Sequence, residues 1–291
     1  MSRAVIFSLA AVAALIVVPA ALAVSFPARV LNALTSRAGY TIERDIAYGD
    51  LPRQKLDIYL PDTVDADTPV VVFFYGGGWN SGSRDGYLFV GQSLATTGMI
   101  VVIPDYRLYP EVVFPAFVED AAKAVAFTRA RIARPDGSTP PLFLAGHSAG
   151  AQIAALLNLD AHYLRDAGLP ASAIAGMIGL SGPYDFLPLE EEIYRKTFPE
   201  AVRATSQPIA FVDGDEPPML LLAGDADQTV RPANTTRLAA AIEAKGGSVE
   251  TKIYPGIRHI DTLAALARAT PWKKPDVRQQ IIDFVQAHPG R

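Results

Sequence analysis

Three features of the sequence predict an α/β fold with a mostly parallel central sheet covered by helices on both faces. Five short, almost continuously apolar segments, at 70–75, 99–103, 142–145, 177–180 and 219–223, read as strands buried on both sides. Segments with apolar residues at steps of three and four lie between them, and strands alternating with helices are the mark of a doubly wound sheet. Half of the 291 residues are hydrophobic, enough for one sizeable core.

The elements follow in order. Arg3 precedes an apolar run over 4–18, then Pro19 and Ala21-Leu22-Ala23, which is the charged, apolar and cleavage-site order of a secretory signal. Residues 1–23 are therefore read as a signal peptide or, since 4–24 is just long enough to span a bilayer, as an N-terminal membrane anchor. Export to a periplasmic or secreted location, or anchoring in a membrane, is the expectation. Residues 24–39 carry Phe26, Val30, Leu31 and Leu34 at helical spacing and predict an amphipathic segment that caps the domain or lies on a membrane surface. The catalytic domain is expected to occupy 40–291.

Alternating residues at 40–48 and 55–60 flank Gly49-Asp50-Leu51-Pro52, which predicts an antiparallel hairpin at a sheet edge. The best-marked helix carries Phe114, Phe117, Val118, Ala121, Ala122, Val125 and Ile132, with Pro115 at its start and Pro135-Asp136-Gly137 at its end. Further helices are predicted over 152–159, from Pro232 to Gly246-Gly247, and from about Pro275 to Pro289-Gly290, with a strand at 249–254. Residues 181–218 interrupt the alternation. An insertion at that point lies above the strand ends and is a possible lid, and Glu190-Glu191-Glu192 within it reads as a solvated helix face.

Charge and composition exclude several functions. A net charge of -4 with scattered basic residues gives no cationic footprint for nucleic acid. The absence of cysteine removes disulfides, thiolate metal sites and a lipid-modified cysteine anchor.

The chemistry centres on Gly146-His147-Ser148-Ala149-Gly150, a G-x-S-x-G between an apolar strand and a helix. Glycines on both sides let strand and helix approach closely around a sharp turn, so Ser148 is a candidate nucleophile. A serine hydroxyl needs a base, and four histidines are available. His147 adjoins the serine, too close in the chain for its ring to turn easily onto it; His162 falls in or just after the following helix and His288 near the C-terminus. His259 alone stands in a strand-to-helix loop late in the chain, and is the candidate base. For the group that orients it, Asp225 and Asp227 both end the strand at 219–223. Asp227, deeper in the loop, is favoured, with Asp225 bracing the turn. Tyr75-Gly76-Gly77-Gly78-Trp79 ends the first buried strand. Its bare amides at Gly77 and Gly78, with that of Ala149 at a helix start, are candidates for an oxyanion hole, and Trp79 is expected to line the substrate pocket. A phosphate cradle is the alternative, but no P-loop lysine follows.

Together with Asp105-Tyr106-Arg107-Leu108, Phe114-Pro115-Ala116 and Gly224-Asp225-Ala226-Asp227, these motifs resemble the α/β-hydrolase family, in particular the carboxylesterase group related to hormone-sensitive lipase and the arylformamidases. The resemblance runs from about Tyr40 to the C-terminus, and the order Ser148, Asp227, His259 is that of the family. One departure is Tyr75, where the family's H-G-G-G opens with a histidine that braces the loop. The resemblance implies the α/β-hydrolase fold and a cofactor-independent serine esterase acting on a small-molecule ester. The same machinery cleaves amides, so an arylformamidase or peptidase is the alternative within catalysis, and an inactive binding protein the alternative outside it.

Overall fold

A computed structural model of the chain describes residues 27–134, 138–268 and 275–290. The expected signal or anchor at 1–23, Phe26 and the helix stop at Pro135-Asp136-Gly137 lie outside the described residues. Among those described, no helix is long and apolar enough to cross a membrane.

Eight strands form one sheet: β1 (Tyr40–Ala47), β2 (Lys55–Pro61), β3 (Val70–Phe74), β4 (Ile100–Pro104), β5 (Leu142–His147), β6 (Gly176–Leu180), β7 (Met219–Gly224) and β8 (Val249–Tyr254). Their spatial order is β1-β2-β4-β3-β5-β6-β7-β8. The first two pair antiparallel, β2 runs antiparallel to β4, and every later pairing is parallel. The predicted edge hairpin and parallel core are both present. β3 and β4 are buried at every position, which is why they read as unbroken Val, Ile and Phe runs: a strand with helices on both faces has no solvent side to make polar.

The helices are α1 (Pro27–Ala33), α2 (Leu88–Ala95), α3 (Ala116–Ile132), α4 (Ala149–Leu159), α5 (Ala161–Asp166), α6 (Glu192–Thr197), α7 (Ala233–Lys245), α8 (His259–Ala264) and α9 (Val277–Ala287). α3, α4, α7 and α9 occupy the predicted regions. α1 keeps only part of its expected face inside: Leu31 is buried, whereas Val30 is 44% and Leu34 56% exposed. The sequence reading did not include α2. All eight of its residues are buried, so it carries no polar stripe, and a helix without a polar stripe has no period to detect.

Charged residues tie the hairpin to the site. Arg84, buried, pairs with Asp57 at 2.9 Å and with Asp105 and Asp45. Asp105 in turn accepts the Tyr75 hydroxyl at 2.8 Å, and its backbone carbonyl accepts the hydroxyl of Tyr48 at 2.6 Å. Arg107 grips Asp120 of α3 through its amide at 3.0 Å and its Nε at 2.7 Å, while Gln54 donates to the same carboxylate at 2.9 Å. Buried carboxylates are tolerated here because each has charged and neutral donors. The Asp105-Tyr106-Arg107 motif thus serves to fasten the loops after β3 and β4 to the hairpin.

Candidate active site

At the C-terminal end of β5 the chain turns sharply into α4. Ser148 sits at the turn with φ 54°, a left-handed conformation that non-glycine residues adopt only under constraint. The constraint is packing: a Cβ on Gly146 would lie 2.3 Å from the Gly150 carbonyl oxygen, and one on Gly150 would lie 2.0 Å from that of Phe74. No other residue fits at either position. The flanking glycines thus act as the sequence suggested, letting strand, turn and helix pass within backbone contact.

The structure brings Ser148, His259 and Asp227 together. His259 opens α8, after β8, and its Nε2 lies 2.9 Å from Ser148 Oγ while its Nδ1 lies 2.8 Å from Asp227 Oδ2. Asp227, buried, accepts the Thr229 and Val230 amides on Oδ1, both at 2.9 Å. Burial pushes its carboxyl pKa up, but the bonds from His259, Val230 and Thr229 outweigh that and hold it below the usual carboxylate value. Asp225 is exposed and accepts the Gly256 amide at 2.6 Å. It therefore braces the neighbouring loop, while Asp227 makes an Asx-type turn with the Thr229 and Val230 amides. His162 is bonded to Asp160 and His288 to the Phe284 carbonyl, both apart from the serine. A hydroxyl on an imidazole that is itself fixed by a carboxylate can lose its proton as it attacks.

The glycine loop lies against this group, since a Cβ on Gly76 would come within 3.1 Å of Ser148 Cβ. Gly77 and Gly78 take φ of 139° and 58°. Among the described residues no protein acceptor takes the Gly77 or Gly78 amide, and Ala149, first in α4, has no acceptor within its helix by position. Tyr75 does the bracing expected of a histidine: its ring stacks on Tyr106 and Tyr87 at 4.7 and 5.3 Å, and its hydroxyl meets Asp105 and Arg53.

Trp79, expected to line the pocket, is packed beneath the 181–218 segment. It is 5% exposed, its indole N–H donates to Gln152 Oε1 at 3.0 Å, and Phe186, Tyr194 and Phe198 of the 181–218 segment close around it at 5.7, 5.7 and 4.7 Å. Gln152 also donates to the Ser206 carbonyl at 2.9 Å. The insertion is thus seated on the glycine loop through aromatic contacts, and Trp79 is what it rests on. Glu190, Glu191 and Glu192 are exposed, as read from the sequence. Among the described residues no group of three His, Cys, Asp or Glu side chains is placed to hold a metal.

His147 is the residue whose place the sequence did not reveal. Its buried ring packs 4.8 Å from that of His259, and its Nε2 lies 3.0 Å from the His259 carbonyl oxygen. Burial, reinforced by His259, pushes its pKa down to about 3. The unfolded chain takes up a proton near pH 6.5 that folded His147 refuses, so folding stability falls as the pH drops from about 6.5 towards 3, by about 1.4 kcal/mol per unit. Denaturant melts at pH 7.5 and 5.0 should differ by about 2 kcal/mol from this source, and His147→Gln should remove that difference; an equal loss in the variant would assign the acid sensitivity elsewhere.

Comparison with known proteins adds the family context. A family model described as BD-FAE matches residues 56–242. The chain is 32% identical over 243 residues to isoprenylcysteine alpha-carbonyl methylesterase ICME of Arabidopsis thaliana, covering 76% of this chain and 57% of that protein. It thus spans little more than half the length of the plant protein. It is also 32% identical to esterase LipC of Mycobacterium tuberculosis over 287 residues, 88% of this chain and 70% of LipC. The fold superposes on an inhibited esterase B from Lactobacillus rhamnosis with a TM-score of 0.75 at 20% identity, covering 95% of this chain and 96% of that one, in keeping with the α/β-hydrolase fold.

Proposed function

Since the chain belongs to the BD-FAE family, within the carboxylesterase group of the α/β-hydrolases, we propose that it hydrolyses carboxylic esters of small molecules with Ser148 as nucleophile. The observation that carries this reading is the unbroken hydrogen-bond chain from Asp227 through His259 to Ser148, at 2.8 and 2.9 Å, beside the uncommitted amides of Gly77 and Gly78.

In this reading Ser148 Oγ attacks the ester carbonyl carbon as His259 Nε2 takes its proton, and the carbonyl oxygen becomes an oxyanion facing the Gly77, Gly78 and Ala149 amides. Asp227 keeps the other proton on His259 Nδ1 and offsets the imidazolium charge. Collapse of the tetrahedral intermediate breaks the C–O bond, and His259 returns its proton to the leaving alkoxide. Water then attacks the acyl-serine by the same route in reverse, releasing the acid and restoring Ser148. The positive end of α4 adds to the stabilisation of the oxyanion.

The methylesterase and esterase relatives support ester over amide as the scissile bond. The test compares a p-nitrophenyl ester with the p-nitroanilide of the same acyl group, and with an aryl formamide beside them. The expected result is turnover of the ester with the anilide and formamide slower by at least about 100-fold, roughly 2.7 kcal/mol in the barrier. Preference for the formamide would replace this reading with an amidohydrolase.

A further inference from the structure

We propose that His147 is a positioning residue for the base: its Nε2–H clamps the backbone carbonyl of His259 and so holds the imidazole of His259 in register with Ser148. The proposal rests on the reading of Ser148 and His259 as nucleophile and base.

The problem it solves is set by the sheet. Ser148 follows β5 and His259 follows β8, with β6 and β7 lying between those strands. Nothing in the strand pairing alone fixes the distance between two residues carried on loops three strands apart. A displacement of about 1 Å at such a contact costs on the order of 100-fold in rate, so a direct brace matters. His147 is adjacent in the chain to the nucleophile, and its ring reaches the backbone of the base, 112 residues on.

The protonation is fixed by what the ring meets. A carbonyl oxygen only accepts, so Nε2 must carry the hydrogen. Nδ1 is then a bare lone pair, and it is indeed buried without a partner, close enough to Gly76 that a Cβ there would stand 3.0 Å away. The other tautomer would set two lone pairs against each other at 3.0 Å. A buried imidazole that leaves one nitrogen unsatisfied costs folding free energy, and the bond it does make is to the base.

A second brace converges on the same oxygen. Thr262 Oγ1 donates to the His259 carbonyl at 3.1 Å and lies 3.1 Å from Ser181 Oγ. With its one hydrogen committed, Thr262 must accept from Ser181, which stands at the end of β6. His147 at the end of β5 thus donates to the carbonyl directly, and Ser181, just past β6, supports it through Thr262 of α8; all three side chains are buried.

The test compares His147→Leu, which removes the donor at similar volume, with His147→Gln, whose side-chain amide can present N–H near the position of Nε2. On an ester turned over by the wild type, the leucine variant should lose about 10- to 100-fold in kcat with KM within about two-fold, and glutamine should recover most of the loss. A leucine variant with kcat within about two-fold of wild type, or a glutamine variant no better than leucine, would overturn the proposal. If the leucine protein does not fold, His147→Asn takes its place: its shorter amide stops short of the His259 carbonyl, so kcat should fall well below that of His147→Gln, and an asparagine variant as active as wild type counts against the clamp. Silence of the wild type on esters would sink the esterase reading instead. In that case the His259 Nδ1 proton resonance, observed by NMR without substrate, should shift in His147→Leu and not in His147→Gln; an unchanged resonance in both overturns the clamp.

Discussion

Replacing Ser148 by alanine is expected to cut kcat/KM for ester substrates by about 1,000-fold or more while leaving the folding stability almost unchanged. The two halves have separate causes. Ser148 Oγ makes one side-chain bond, to His259 Nε2, and without it there is no nucleophile for His259 to activate, so only the oxyanion donors and substrate binding remain to assist attack by water. Stability is spared because the change adds no strain: alanine at φ 54° carries the same Cβ penalty that serine already bears. His259 Nε2 is left facing the open site, where water replaces the lost partner. Rates on a p-nitrophenyl ester and a denaturant melt of the same preparation check both. An active alanine variant would remove Ser148 from the mechanism.

The second large effect separates two neighbouring carboxylates. Asp227→Asn is expected to lower kcat by about 10,000-fold, as in other enzymes where the orienting acid loses its charge. The direction follows from the bonds around it. Oδ1 accepts the Thr229 and Val230 amides, so the oxygen of an asparagine must stay on that side and its NH₂ must face His259 Nδ1. A donor there forces the hydrogen onto Nε2, and an imidazole with Nε2–H cannot take the Ser148 proton. Asp225→Ala should instead leave kcat nearly intact and cost about 0.5–1.5 kcal/mol of stability, the net worth of its bond to the Gly256 amide. Kinetics and melts on both variants decide the matter. Loss of turnover in Asp225→Ala with Asp227→Asn intact would reverse the assignment.

The physical reasons these residues are legible in the sequence differ from the reasons others are not. Ser148 and Asp227 each follow an apolar strand and His259 follows the more polar edge strand β8, and a parallel sheet brings all such loops to one edge, so sequence order and strand pattern together carry their spatial meeting. The buried strands were legible for the same reason that α2 was not. Continuous apolar character suits a strand covered on both faces, and α2, buried all round, offers the same signal without a helical period. The lattice of Arg84 with Asp45, Asp57 and Asp105 is invisible in sequence because its members lie well apart in the chain, and of them Asp105 alone belongs to a motif, one that does not name its partners. The contact of His147 is with a backbone carbonyl, and a carbonyl leaves no side-chain signature to read. The packing of Phe186, Tyr194 and Phe198 around Trp79 is not legible either, since an insertion's aromatic residues carry no signal of which face they meet.

The strand order has a consequence for how the molecule fails. β5, which carries Ser148, has four strands on one side of it and three on the other, whereas β8, which leads to His259, is the outermost strand and pairs with β7 alone. Outer strands open in local fluctuations at a small fraction of the global free energy, and central ones only with the whole molecule. In the proposed mechanism, nucleophile and base therefore belong to regions of unequal durability. Under mild stress the loop carrying His259 is expected to open first, leaving esterase turnover lost while most backbone amides remain protected from exchange.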